Sequence, residues 1–156
     1  MIEIAVPDYA TLTLEHLVLD YNGTLACDGT LLPGVRERLR ILADRLTLHV
    51  LTADTFGTAK SELEDIPCQL TVLPSEGQAE AKAAHVRQLG AETTVCIGNG
   101  RNDRLMVEAA VLGIAVLQEE GAAKECLIAA RVVCRDIRDA LDLLRLPLRL
   151  TATLRG

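Results

Sequence analysis

Aromatic residues are almost missing from this chain of 156 residues, which has no Trp, one Phe and two Tyr. A stacking platform for single-stranded nucleic acid needs aromatic faces, so their scarcity argues against that class. It also requires an aliphatic core of Leu, Val, Ile and Ala. An excess of positive charge is missing too: 16 Lys and Arg stand against 22 Asp and Glu, a net charge of −6. Long-range attraction to DNA, RNA or anionic lipid therefore has no source. No apolar run approaches the ~18 uninterrupted residues of a membrane span. Glu3, Asp8 and Glu15 interrupt the amino end, so no signal peptide is expected. The expectation is a soluble cytoplasmic protein without nucleic-acid or membrane partners. The five cysteines (Cys27, Cys68, Cys96, Cys126 and Cys134) are odd in number and form no C-x-x-C pair, which reads as reduced thiols. His16, His49 and His85 are scattered and have no zinc-ligand spacing.

What is present is a regular alternation. Nearly half the residues (49%) are hydrophobic, and the length fits one domain over 1–156 with a proper core. Residues 2–6 alternate and stop at Pro7; residues 11–15 alternate again. Apolar runs at 17–20, 46–51, 69–73, 93–97, 113–117 and 132–134 read as strands. Helical patterns lie between them, at 33–45, 58–65, 79–89, 102–110, 122–130 and 136–144. Gly90 closes the third of these helices, and Asn102 is a fair N-cap for the fourth. Asp28-Gly29 signals a small hairpin or flap just beyond residue 20. Residues 148–154 are expected as an edge strand near the amino-terminal one. Strands alternating with helices predict a doubly wound, Rossmann-like, mostly parallel α/β sheet with helices on both faces.

Three of the strands end in polar clusters: Asp20 to Thr24, Thr52 to Asp54, and Gly98 to Asp103. In a doubly wound sheet these share the carboxyl edge, where such folds bind their ligands. Lys82 opens a helix near the same edge. Taken singly, each has a plainer reading: a turn, a helix cap or a solvated lysine.

Together the four stretches resemble the motif set of the haloacid dehalogenase-like hydrolase superfamily. Asp20-Tyr21-Asn22-Gly23-Thr24-Leu25 is similar to its first motif, D-x-D-G-T-L. Thr52 and Lys82 match the second and third, and Gly98-Asn99-Gly100-Arg101-Asn102-Asp103 matches the fourth, G-D-G-x-N-D. The resemblance covers residues 17–117. Thr52-Ala53-Asp54 and the Asn102-Asp103 ending point, within the superfamily, to the phosphorylation domain of P-type ATPases and their soluble, membrane-free relatives.

The resemblance implies Mg²⁺-dependent phosphoryl transfer through an aspartyl-phosphate. Asp20 is the implied nucleophile, and carboxylate attack splits one hard step into two. Asp20, Asn22 through its backbone carbonyl, Asn99 and Asp103 are the implied Mg²⁺ oxygens. Thr52 and Lys82 would bind the phosphoryl group, with Tyr21, Gly23, Ala53, Asp54 and Asn102 around it. Main-chain N–H groups of residues 21–23 are expected to cradle its oxygens.

Two departures qualify this. Residue 22 is Asn where the superfamily's phosphatases carry the Asp that protonates the leaving group, and such an acid is worth about 10²–10⁴-fold. The expectation is a phosphatase or ATPase-like enzyme biased to good leaving groups. The alternative is a weakly active or non-catalytic phosphate- or metal-binding regulator. Residue 99 is Asn where the motif has Asp, which removes an anionic ligand. No cap domain fits: 27 residues (25–51) separate Thr24 from Thr52, and 29 (53–81) separate Thr52 from Lys82. The open site implies a large phosphorylated substrate, or a homo-oligomer whose neighbour covers it.

Overall fold

Alternation at the amino end produces a hairpin. In the computed structural model, which describes residues 1–156, Ile2–Val6 (β1) pairs antiparallel with Ala10–Leu14 (β2). Ile2, Ile4, Val6, Leu12 and Leu14 are buried, while Glu3, Ala5 and Thr11 face water. This hairpin is a sheet of its own.

The main sheet has six parallel strands. They are His16–Asp20 (β3), Thr47–Thr52 (β6), Cys68–Val72 (β7), Thr94–Gly98 (β8), Leu112–Val116 (β9) and Val132–Cys134 (β10). Their spatial order is β10-β9-β8-β3-β6-β7. The chain winds outward from β3 through β6 to β7, then returns to β8 on the other side of β3. The topological switch point is therefore between β3 and β8, and the crevice opens at the end of β3.

Both faces of the sheet are covered, as parallel sheets require. The larger apolar cluster includes Leu17 and Leu19 of β3, with residues of the hairpin, Val35–Ala43 (α1) and Ile137–Arg145 (α6). The smaller takes Val18 of β3, with residues of Gln78–Leu89 (α3), Arg104–Ala109 (α4) and Lys124–Ala129 (α5). Val35, Leu39 and Leu42 form the buried stripe of α1. Asp136 caps α6 by accepting from the Arg138 and Asp139 amides. Arg38 joins the two helices with a paired contact to Asp142, both bonds 3.0 Å.

A flap of Ala26–Cys27 (β4) and Thr30–Leu31 (β5) turns at Asp28 and Gly29, whose φ values are +50° and +80°. Two consecutive positive φ angles match the twist of a two-residue hairpin loop. Ala59–Glu62 (α2) follows β6 as a single short turn. The intervals 25–51 and 53–81 are filled by these elements, leaving no inserted cap domain. No helix is long and apolar enough to cross a membrane.

Three expectations are corrected. Residues 148–154 are not an edge strand: Pro147–Leu154 (α7) is a helix that begins at its proline and packs beside β1. Leu148, Leu150 and Leu154 fit a period of two as well as a helical one. Leu150 and Leu154, four apart, face the larger cluster, while Leu148 is exposed. Asn102 is not an N-cap, because a 3-10 turn at Arg101–Asp103 precedes α4. The histidines are not scattered. His49 pairs with Val18 and His16 pairs with Thr47, so His16 and His49 are diagonal neighbours on one face. His16 Nδ1 lies 3.2 Å from His49 Nε2, and the His85 ring on α3 stacks edge-on against His49 at 5.3 Å.

Candidate active site

Asp20 ends β3 at the switch point and is 6% exposed. Lys82, one turn into α3, has no exposed surface. Its Nζ lies 2.7 Å from Asp20 Oδ1 and 2.7 Å from Asp103 Oδ1. A buried ammonium persists only when paired, and here two carboxylates hold it. Burial alone would lower the lysine's pKa, but Asp20 and Asp103 overcome that and raise it. Asp20 is raised to about 6, first by burial and then by Asp103, against the pull of Lys82 and Thr24. The three side chains sum to one net negative charge when all are ionised.

Asp103 is fully buried and faces inward. Its Oδ2 accepts from the amides of Asn99 (3.0 Å) and Gly100 (2.9 Å), closing the turn after β8. A Cβ on Gly98 would stand 2.6 Å from the Asp103 side chain, so only glycine lets the carboxylate lie there. Asp103 is thus placed behind the cavity, where it holds Lys82. The Thr24 hydroxyl stands between Asp20 Oδ2 (3.1 Å) and Asn99 Oδ1 (3.2 Å).

In front of Asp20 is a cavity of about 250 Å³ lined by Asp20, Asn22, Thr52, Ala53, Asn99 and Asn102, with Thr55, Gln78, Gly100 and Glu120. Thr52 ends β6 and is 2% exposed. Its Oγ1 accepts from the Asp54 amide at 2.9 Å, while its own proton has no acceptor in the protein. The backbone N–H groups of Tyr21, Asn22 and Ala53 likewise have no protein acceptor. The cradle expected from residues 21–23 is narrower than the sequence suggested, because the Gly23 amide donates to the Ala26 carbonyl at 2.8 Å. Asp54 is turned away: at φ +50° it accepts from the Ala59 amide (3.0 Å) and does not line the cavity. The Tyr21 side chain runs under the flap, donating to the Gly29 carbonyl at 2.9 Å.

Several residues escaped the sequence reading. Gln118 donates to the carbonyls of Gly23 (2.9 Å) and Thr24 (2.7 Å) and accepts from the Ile137 amide (2.9 Å), tying the Asp20 loop to α6. Gln78 accepts from Asn102 Nδ2 at 2.8 Å. Glu120 lies in the loop after β9, with its Oε2 over Gly23. The signal for Gln118 and Glu120 was the same one that flagged the other clusters, since Leu117-Gln118-Glu119-Glu120 follows a parallel strand.

The cavity suits a hard cation. The Asp20 carboxylate, the unengaged carbonyl of Asn22 and Asn99 Oδ1 are all oxygen donors, the set that Mg²⁺ takes. No three His, Cys, Asp or Glu side chains converge as a metal cluster, so main-chain and amide oxygens would complete such a site. Asn22 Oδ1 is buried with no partner, an acceptor still to be satisfied.

The architecture is the fold of the haloacid dehalogenase-like hydrolases. The 3-deoxy-D-manno-octulosonate 8-phosphate phosphatase of Haemophilus influenzae, in its cobalt-bound form, superposes with a TM-score of 0.73 at 18% identity, over 92% of this chain and 94% of that one. The Moraxella catarrhalis phosphatase of the same name, with magnesium, phosphate and the sugar acid bound, gives 0.71 at 14% identity over 91% and 94%. Two proteins of Methanocaldococcus jannaschii are closer in sequence. The uncharacterized protein MJ0073 is 48% identical over 61 residues, 39% of this chain and 66% of that protein. The uncharacterized protein MJ0072 is 51% identical over 39 residues, 25% of this chain and 89% of that protein. The chain belongs to one family with MJ0072. No protein-family model matches it.

Proposed function

We propose that the protein is a divalent-cation-dependent phosphoryl-transfer hydrolase acting through an aspartyl-phosphate on Asp20. The observation that carries this is Lys82, fully buried at the switch point and clamped between Asp20 and Asp103. In front of it, unengaged N–H groups of Asn22 and Ala53 and the Thr52 hydroxyl face a polar cavity. Donors without acceptors beside a carboxylate make a place for a tetrahedral anion.

A bound Mg²⁺ would offset the charge repelling phosphate from Asp20. The chain's own residues do the rest. Asp20 attacks phosphorus, the phosphorus–oxygen bond to the leaving group breaks, and that oxygen keeps the electron pair. Thr52 and the two amides hold the phosphoryl oxygens. Lys82 keeps Asp20 oriented and balances charge that builds on the transferring group. Water then attacks the same phosphorus, releasing phosphate and restoring Asp20.

Asn22 cannot protonate the departing oxygen. Leaving groups that need no proton, such as a carboxylate or a nucleoside diphosphate, are therefore preferred, as in P-type ATPases. Asp54, the spare carboxylate of the sequence, is tied to α2 and does not replace the acid. The names of the structural neighbours support a phosphorylated small molecule as substrate. A wider cleft of about 420 Å³, bordered by Arg101 and Arg104, adjoins the cavity through Gln78 and Asn102 and offers room for the rest of it. A panel of acyl, anhydride and alkyl phosphates tests this reading. The expected result is turnover of acyl phosphates about 10²-fold or more above alkyl esters, abolished in Asp20→Asn. Equal rates on alkyl esters, or rates unchanged in Asp20→Asn, contradict it. The second reading, a phosphate-binding regulator, is favoured by Asn22 itself and predicts binding without turnover.

A further inference from the structure

The loop after β9 brings a carboxylate into a site whose sequence motifs had lost one. Of the four groups expected to hold the cation, Asn22 and Asn99 offer neutral oxygens. Asp103 is buried behind the cavity, engaged by Lys82 and two amides. Asp20 is the one charged ligand left, and Lys82 offsets its charge. Hard divalent cations are usually held by one or two carboxylates with water completing the shell. With one carboxylate, itself paired with Lys82, this site stands at the low end of that range.

Glu120 lines the same cavity as Asp20, Asn22 and Asn99. A Cβ on residue 23 would run into Glu120 Oε2 and would stand 2.5 Å from Asn99 Nδ2 and 2.8 Å from Asn99 Oδ1, so the Glu120 carboxylate and the Asn99 amide meet over a position that only glycine leaves open. Asn99 also fixes the loop that carries Glu120. Its Nδ2 donates to the Gly121 carbonyl at 3.0 Å, and its own carbonyl accepts from the Ala123 amide at 2.8 Å. An aspartate at position 99 would set two acceptors against each other there. The amide that lacks the charge is the group that holds the loop supplying it.

We propose that Glu120 provides the second carboxylate of the divalent-cation site, in compensation for Asn99. This rests on the phosphoryl-transfer reading of the cavity, and the test separates the two. Metal-free protein is titrated with Mg²⁺ by calorimetry and with Mn²⁺ by electron paramagnetic resonance, without any phosphate. Wild type is compared with Glu120→Gln, Glu119→Gln and Asp20→Asn. Glu120 is exposed, so its variant retains the fold. The expected result is one saturable site, weakened about tenfold or more in Glu120→Gln, unchanged in Glu119→Gln and lost in Asp20→Asn. If Glu120→Gln binds like wild type while Asp20→Asn does not, the role of Glu120 is overturned and the site stands. Equal weakening by Glu119→Gln reduces the effect to general surface charge and also overturns it. No saturable site in wild type overturns both.

Discussion

At neutral pH, Lys82 and its two carboxylates put an electrostatic imbalance inside the protein. With Asp20 and Asp103 both ionised, one negative charge is uncompensated among largely buried side chains. Asp20 has its pKa raised to about 6 from an ordinary 3.8. A carboxyl group whose folded pKa is raised binds its proton more tightly in the native state. Its contribution to stability therefore falls as pH rises from about 3.8 to about 6, and above that range the full cost is present. Asp20→Asn removes this cost and leaves Lys82 paired with Asp103. We expect the variant to melt at a higher temperature than wild type at pH 7.5 in chelator. A lower melting temperature contradicts the account. The stability lost to the ionised Asp20 is the loss expected of a carboxylate kept charged for the chemistry proposed for it.

Among single residues, Asp20, Asn22, Thr52 and Asn99 were legible because each follows an apolar strand directly. Asp54 shares that position and still points elsewhere, because its backbone adopts a positive φ and its side chain serves α2. Gln78 was hidden because it belongs to a helix start, where polar residues are ordinary.

At the level of elements, strand pairing creates neighbours that spacing does not reveal. The β3–β6 register brings His16 beside His49, and α3 covers them with His85. His49 is 2% exposed, and its pKa is lowered from 6.5 to about 4, first by burial and then by His85 and His16. A histidine held neutral in the fold takes up its proton more readily when unfolded. Its contribution to stability is fully present above about pH 6.5 and is lost as pH falls toward 4. Denaturant melts of wild type and His49→Leu across pH 7.5 to 4 isolate this term, because Asp20 is common to both. The expected outcome is a wild-type stability that declines relative to the variant through that window; parallel curves contradict it. The flap was legible from Asp28-Gly29, whose turn chemistry is local. The helix at Pro147–Leu154 was not, because three leucines in seven residues fit either period until the packing partner is known.

For the whole molecule, the strand order does the organising. Winding outward from β3 in both directions leaves one crevice, and the three polar clusters ended there because parallel strands share a carboxyl edge. That much was readable from the alternation of strands and helices. The loop after β9 completes the same edge and supplies Gln118 and Glu120, which lie 94 and 96 positions beyond Thr24 in the sequence and meet its loop only in three dimensions. With no inserted domain over it, the cavity stays open to a bulky substrate or to a neighbouring copy of the chain.

The central claim is that Asp20 takes the phosphoryl group. Incubating the protein with Mg²⁺ and an acyl phosphate, quenching in acid and mapping peptides by mass spectrometry tests it directly. The account predicts one phosphoryl adduct, on the peptide containing Asp20, absent from Asp20→Asn. An adduct confined to another residue, or no adduct while the cation is bound and the acyl phosphate is consumed, would contradict it.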